Sequence, residues 1–142
     1  MNPVKPLLAA LLAAVSLFPA AGARAEVQYY DDIDAASRIG DEHVTRLQRE
    51  SVTRFGELLR FEVKVAWKDP AARPDTEAPI RIVRYLAKCP QKELAVAAVA
   101  VFDPSNRMVK SFGIPPGGWE YAPAKAGSPQ AEWLEKACNM PV

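Results

Sequence analysis

His43 is the only histidine of the chain, and Cys89 and Cys138 are its only thiols. A histidine can serve as general base toward a hydroxyl such as Ser51. No G-x-S-x-G nucleophile elbow accompanies it, and no residue marks itself as an orienting carboxylate. The other reading of His43 is a surface or strand-edge side chain. Tyr29-Tyr30-Asp31-Asp32-Ile33-Asp34, with Asp41-Glu42 beyond, concentrates oxygen ligands of the kind that hold Ca²⁺. Its spacing lacks the EF-hand order of ligands at positions 1, 3 and 5, Gly at 6 and Glu at 12, so a solvated turn is the competing reading. One His, two Cys and a formal charge of +1 exclude zinc ribbons, His-rich metal sites and nucleic-acid binding by bulk charge. No cofactor motif is present, and no catalytic set assembles.

Arg46, Arg49, Arg54 and Arg60, followed by Lys64 and Lys68, gather positive charge in one stretch. Alternate positions on strands share a face, so part of this set forms a basic stripe able to meet acidic segments of an extracellular protein or a sulfated polysaccharide. Glu50, Glu57 and Glu62 are interleaved, which is also the pattern of a mixed-sign solvated face. Trp67 ends an alternating strand and Trp133 lies in a helical stretch, so core packing accounts for both. Trp119 sits in a Pro/Gly loop, where it either packs or meets a partner. The candidate partner-binding residues are therefore Arg49, Arg54, Arg60 and Trp119.

The first 25 residues read as an export signal. Lys5 supplies positive charge, Leu7–Phe18 is an uncharged apolar run, Pro19 breaks it, and Ala23-Arg24-Ala25 offers a small-x-small cleavage site before Glu26. Cleavage after Ala23 is the near alternative. Removing residues 1–25 takes Lys5 and Arg24 away, leaving residues 26–142 as one domain with a formal charge of −1. No cysteine for lipid attachment sits near the cleavage site, and no other apolar run is long enough to span a membrane. The expected compartment is the periplasm or the cell exterior. In such an oxidising setting the two cysteines read as one disulfide, Cys89–Cys138. No C-x-x-C motif is present to make a redox site.

These residues need a scaffold. Leu59–Trp67 alternates large apolar residues with Arg60, Glu62 and Lys64, the period-two pattern of a half-buried strand. Asp69–Pro79 has three prolines and no periodicity and reads as a loop. Ile80–Cys89 resumes as a strand whose apolar phase slips between Ile82 and Val83, pointing to a bulge or to burial on both sides. Leu94–Phe102 is apolar throughout, as in a central strand covered on both faces, although its periodicity is also compatible with helix. Asp103–Asn106 is a turn leading to a returning strand over Arg107–Gly113. Val44–Phe55 offers one or two shorter strands, and Val27–Ile33 an edge strand or extended arm. After the irregular stretch Ile114–Gly127, Ser128-Pro129 starts a helix that places Leu134 and Cys138 on one face and ends near Asn139 and Pro141. The expected fold is α+β and mainly β: an antiparallel sheet of five to six strands with one C-terminal helix tied to it by the disulfide.

A strand reading LQRESVTRFG, an alternating strand ending in Trp (LLRFEVKVAW), a strand closing at Cys89, a hairpin around DPSNRMVKS, the Pro-rich loop with Trp119 and a helix ending at Cys138 follow in this order. Over residues 43–138 this layout resembles the surface-adhesin protein E family of small exported bacterial domains, with CNP1-like exported domains as a related pattern. The resemblance implies an antiparallel sheet with a disulfide-bonded helix, and a non-enzymatic binder of host matrix proteins such as vitronectin and laminin. The chain differs from the family in lacking a lipid-anchoring cysteine after the leader and in its acidic segment before residue 43. The leading expectation is thus an exported binding domain for an envelope or host extracellular protein. The alternatives are a periplasmic small-ligand or metal carrier with a sheet-lined pocket, and a small hydrolase around His43.

Overall fold

The computed structural model describes residues 32–142, of which Ile33–Val142 form one compact unit. The expected export signal, Asp31 and the stretch 27–31 lie outside the described residues. Residues 32–37 are helical (α1), so Ile33 ends no strand. It is buried in the helix instead, and Ala36 and Ile39 pack against the core.

Six strands follow: β1 (His43–Phe55), β2 (Leu58–Trp67), β3 (Ile80–Lys88), β4 (Glu93–Phe102), β5 (Met108–Gly113) and β6 (Ala122–Pro123). The helix α2 (Pro129–Cys138) closes the unit. The sheet is an antiparallel meander in the order β1-β2-β3-β4-β5, with β6 pairing the opening residues of β4. Short turns make that order. Gly56 takes the positive φ of the two-residue turn between β1 and β2, a conformation that costs a residue without Cβ nothing. Asn106 supplies another, at φ 68°. There Asp103 Oδ1 accepts from the Ser105 hydroxyl and from the N–H groups of Ser105 and Arg107.

The strand alternation does what period two requires. Leu59, Phe61, Val63 and Val65 of β2 are buried, while Arg60, Glu62 and Lys64 turn the other way. Register aligns Phe61 with Tyr85 and Val63 with Val83, so one face of the sheet becomes the core face. The side chains of Phe61, Val63 and Val83 are fully enclosed, each such burial being worth about 1.5–3 kcal/mol. The rings of Phe61 and Tyr85 stack at 5.5 Å, and Trp133 of α2 adds to Tyr85 at 5.7 Å.

β3 does not bulge where its apolar phase slips. Ile82 and Val83 pair regularly with β2, and the irregularity lies one step on, at Arg84/Tyr85, where Ala97 of β4 is the extra residue. The slip reflects burial on both faces: Leu86 and Ala87 are neighbours in sequence and both are enclosed. β4 is covered on both faces only in its first half, through Leu94 and Ala95. Its last residues, Ala100 to Phe102, are half-buried.

α2 begins as its residues dictate. The Ser128 hydroxyl accepts from the Ala131 N–H at 3.2 Å, Pro129 occupies the first turn, and Lys136 pairs with Glu132 at 2.8 Å. Trp133, Leu134 and Ala137 form its buried face. A helix of three turns is marginal alone, and here the bridge Cys89–Cys138 fastens its last turn to the end of β3 with a Cα–Cα distance of 5.9 Å. Among the described residues no helix is long and apolar enough to cross a membrane.

A candidate partner-binding face and its neighbours

The outer face of the sheet, opposite α2, is built by register. Arg46 stands opposite Lys64, Glu62 opposite Arg84, and Arg60 opposite Leu86. Directly opposed residues share a face, so Arg46, Lys64, Arg60 and Arg84 project from the same side. Glu62 takes Arg84 at 3.1 Å. Arg46, Arg60 and Lys64 have no ion pair or side-chain hydrogen bond among the described residues. The opposed pair Arg46/Lys64 is a like-charge pair, which costs the sheet stability and leaves the face with an unmet demand for carboxylates.

Beside this charge lies a cleft of about 240 Å³. Leu86 and Gly113 lie in it, Trp119 and Phe55 wall it, and Arg60 and Arg84 stand at its rim. The segment after β5 folds back over the sheet to make one wall. Ile114 N donates to Ala97 O at 2.8 Å, and the Trp119 indole donates to the Ile114 carbonyl at 2.8 Å. Trp119 thus packs and also lines the cleft, half-buried. On the other side of the charges the face is apolar, in a rung that runs Val44, Ala66, Ile80, Phe102, Met108.

The sequence candidates Arg49, Arg54 and Arg60 do not come together. Between the pairs Gln48↔Glu62 and Thr53↔Arg60, the four residues Arg49 to Val52 of β1 oppose the single residue Phe61. Three extra residues reverse the alternation. Arg54 then stands opposite Leu59, on the α2 side of the sheet, while Arg60 stays on the outer face. Arg49 sits in the bulge and faces the groove beside α2. The bulge is stabilised by Ser51, whose hydroxyl accepts from Glu62 N at 2.7 Å and donates to Gln48 O at 2.6 Å. A ladder N–H that the bulge would orphan is satisfied in this way.

Ser51 and His43 sit at different places on β1, and neither is available to the other. The His43 ring is buried, on the edge strand but not at the surface. Its Nδ1 accepts from Gly40 N at 3.0 Å, its Nε2 lies 3.1 Å from Arg81 Nη2, and its ring meets Trp67 edge-on at 4.7 Å. Glu42 and Glu77 lie 3.7 and 3.8 Å from its two nitrogens.

Arg81 is the residue the sequence reading missed. It is buried on the core face, and burial pulls its pKa down, against the opposing pull of Glu77 first. Its Nη1 donates to the Ala36 carbonyl near the end of α1, where helix carbonyls lack internal partners. Its signal is its phase: it alternates with Val83 and Tyr85 and so must point inward. Asp32, Asp34, Asp41 and Glu42 are exposed. Among the described residues no group of three or more His, Cys, Asp or Glu is placed to hold a metal ion.

No family model, no curated protein and no solved structure matches this chain.

Proposed function

We propose that this protein is exported, loses residues 1–25, and acts without catalysis as a binding module in the periplasm or outside the cell, in the manner of the surface-adhesin protein E domains it resembles. Its partner is an envelope or host extracellular protein that presents carboxylates beside apolar side chains. The observation that carries this reading is the unpaired charge of Arg46, Arg60 and Lys64 on the open sheet face, next to the cleft walled by Trp119. Unpaired guanidinium groups beside apolar and aromatic surface suit a protein contact, where Arg and Trp supply much of the binding energy. The cross-link Cys89–Cys138 agrees with an oxidising compartment.

The test is capture of the purified protein on immobilised vitronectin, laminin and envelope proteins. Capture should weaken as salt rises from about 0.1 M to 1 M, as the Debye length shrinks from about 10 Å to 3 Å. It should also fall on Arg60→Ala. Capture that is insensitive both to salt and to Arg60→Ala would overturn the reading.

A further inference from the structure

The longest strand, β1, lies at one end of the sheet, and among the described residues no strand pairs with its outer side. In an antiparallel ladder every second residue turns its N–H and C=O away from its partner strand. The His43 N–H is already bonded to the Gly40 carbonyl, so β1 presents its backbone donors and acceptors from Val44 to Gln48, up to the point where the bulge ends the regular edge. Along this edge runs a groove of about 850 Å³ between β1 and α2. Leu47, Trp133 and Met140 line it beside the backbone row, with Arg49, Glu135 and Lys136 among its charged members.

An open edge, a groove that mixes apolar side chains with charged ones and a helix wall together match one class of ligand, an extended polypeptide. The charges narrow it further. A strand laid outside β1 would alternate. One set of its side chains enters the groove toward Leu47 and α2. The other set emerges on the outer face, beside Arg46 and its opposed neighbour Lys64, which have no carboxylate partner among the described residues. On the α2 rim Glu132 is already paired with Lys136, and Glu135 is also negative, so along the regular edge acidic residues belong on the outer side, and only at the bulge does Arg49 bring positive charge to the groove. We propose that β1 and α2 form a strand-addition site for a partner segment that alternates apolar and acidic residues. This site shares Arg46 and Lys64 with the open face but involves neither Arg60 nor the Trp119 cleft.

The test uses the ¹⁵N-labelled protein and three blocked hexapeptides: alternating Val and Glu, alternating Val and Lys, and the Val/Glu peptide N-methylated at every second amide. The Val/Glu peptide should shift the amides of Val44–Gln48 and the Trp133 indole, and should slow hydrogen exchange along that edge. The Lys peptide and the N-methylated peptide should each bind at least about tenfold more weakly. Arg46→Glu should reverse the preference between the Glu and Lys peptides. Arg60→Ala should leave all three affinities unchanged while it lowers capture through the open face, so the two sites fail or succeed separately. Equal binding of the methylated peptide, shifts confined to the Trp119 cleft, or no shift at about 1 mM Val/Glu peptide would each overturn the proposal.

Discussion

The hydroxyl of Ser51 accepts the backbone N–H of Glu62 across the β1–β2 ladder at 2.7 Å. A side chain there replaces the carbonyl that four crowded residues of β1 cannot present to β2. The bulge in turn decides which arginines share a face. Ser51→Ala should therefore cost about 1 kcal/mol, since it leaves a half-buried donor without its partner. Urea unfolding would measure the loss, and exchange of the Glu62 amide should rise with it. An unchanged midpoint would show that water replaces the hydroxyl without cost.

The bridge Cys89–Cys138 closes a loop with a sequence separation of 49 residues. For a loop of that size the chain-entropy model gives about 4 kcal/mol. Cys89→Ala/Cys138→Ala should lose stability of that order, with the amides of α2 losing exchange protection before those of β2 and β3. A thiol assay on the native, unreduced protein should find no reactive group, since both cysteines are bonded to each other.

Arg81 joins α1 to the sheet through the Ala36 carbonyl and through its contact with His43 at 3.1 Å. Arg81→Ala should destabilise the protein by about 1–3 kcal/mol, because a half-buried carbonyl loses its charged donor. Residues 33–39 should then gain proteolytic sensitivity while the hairpin β2–β3 keeps its protection. Equal loosening of both regions would mean that Arg81 supports the whole core and not the α1 junction.

Burial raises the pKa of the Tyr85 phenol above its ordinary value, against a smaller pull from Arg81. The folded chain then holds this proton where an unfolded tyrosine, with a pKa of about 10, releases it. Stability from this source is complete below about pH 10 and is lost as pH climbs above that value. The urea midpoint should hold to about pH 9.5 and fall from there to about pH 11 in roughly the proportion set by one group, and Tyr85→Phe should flatten that fall. A Tyr85→Phe profile parallel to the original would assign the alkaline loss to other groups, Tyr121 among them, whose pKa burial also raises.

On the open face, Arg60→Ala and Lys64→Ala should each reduce partner capture several-fold at low salt, in line with hot-spot losses of about 1–2 kcal/mol. Arg54→Ala should leave capture unchanged, because Arg54 stands opposite Leu59 on the other side of the sheet. Capture that falls equally with Arg54→Ala would remove the distinction between the faces.

Much of the architecture is legible in local pattern. The alternation of Leu59–Trp67 shows a half-buried strand, and the order Ser128-Pro129 before an apolar face marks the start of α2. Two cysteines admit one intramolecular pairing, and that pairing is present. These signals are local because period, capping and turn chemistry each act within a few residues.

The site is less legible, since it depends on register. Arg49, Arg54 and Arg60 look like one group because they are near one another in the chain; uninterrupted alternation along β1 would put Arg46 and Arg54, eight apart, on one face, and the bulge parts them. Which face a residue occupies after a bulge depends on how many residues the partner strand offers opposite it. Here that number is one, Phe61, against four. Likewise His43 could be placed on a strand edge from its neighbours, but not beneath Arg81, which lies 38 positions away. The residues themselves determined strands β2 to β5, the helix α2 and the cross-link, because those follow from short-range stereochemistry and from the cysteine count, whereas α1 and the short strand β6 carry no such local signal. Tertiary structure alone decided which charges share a surface, which arginine is buried and which strand edge stays open, because each of those results from pairing between segments far apart in the chain.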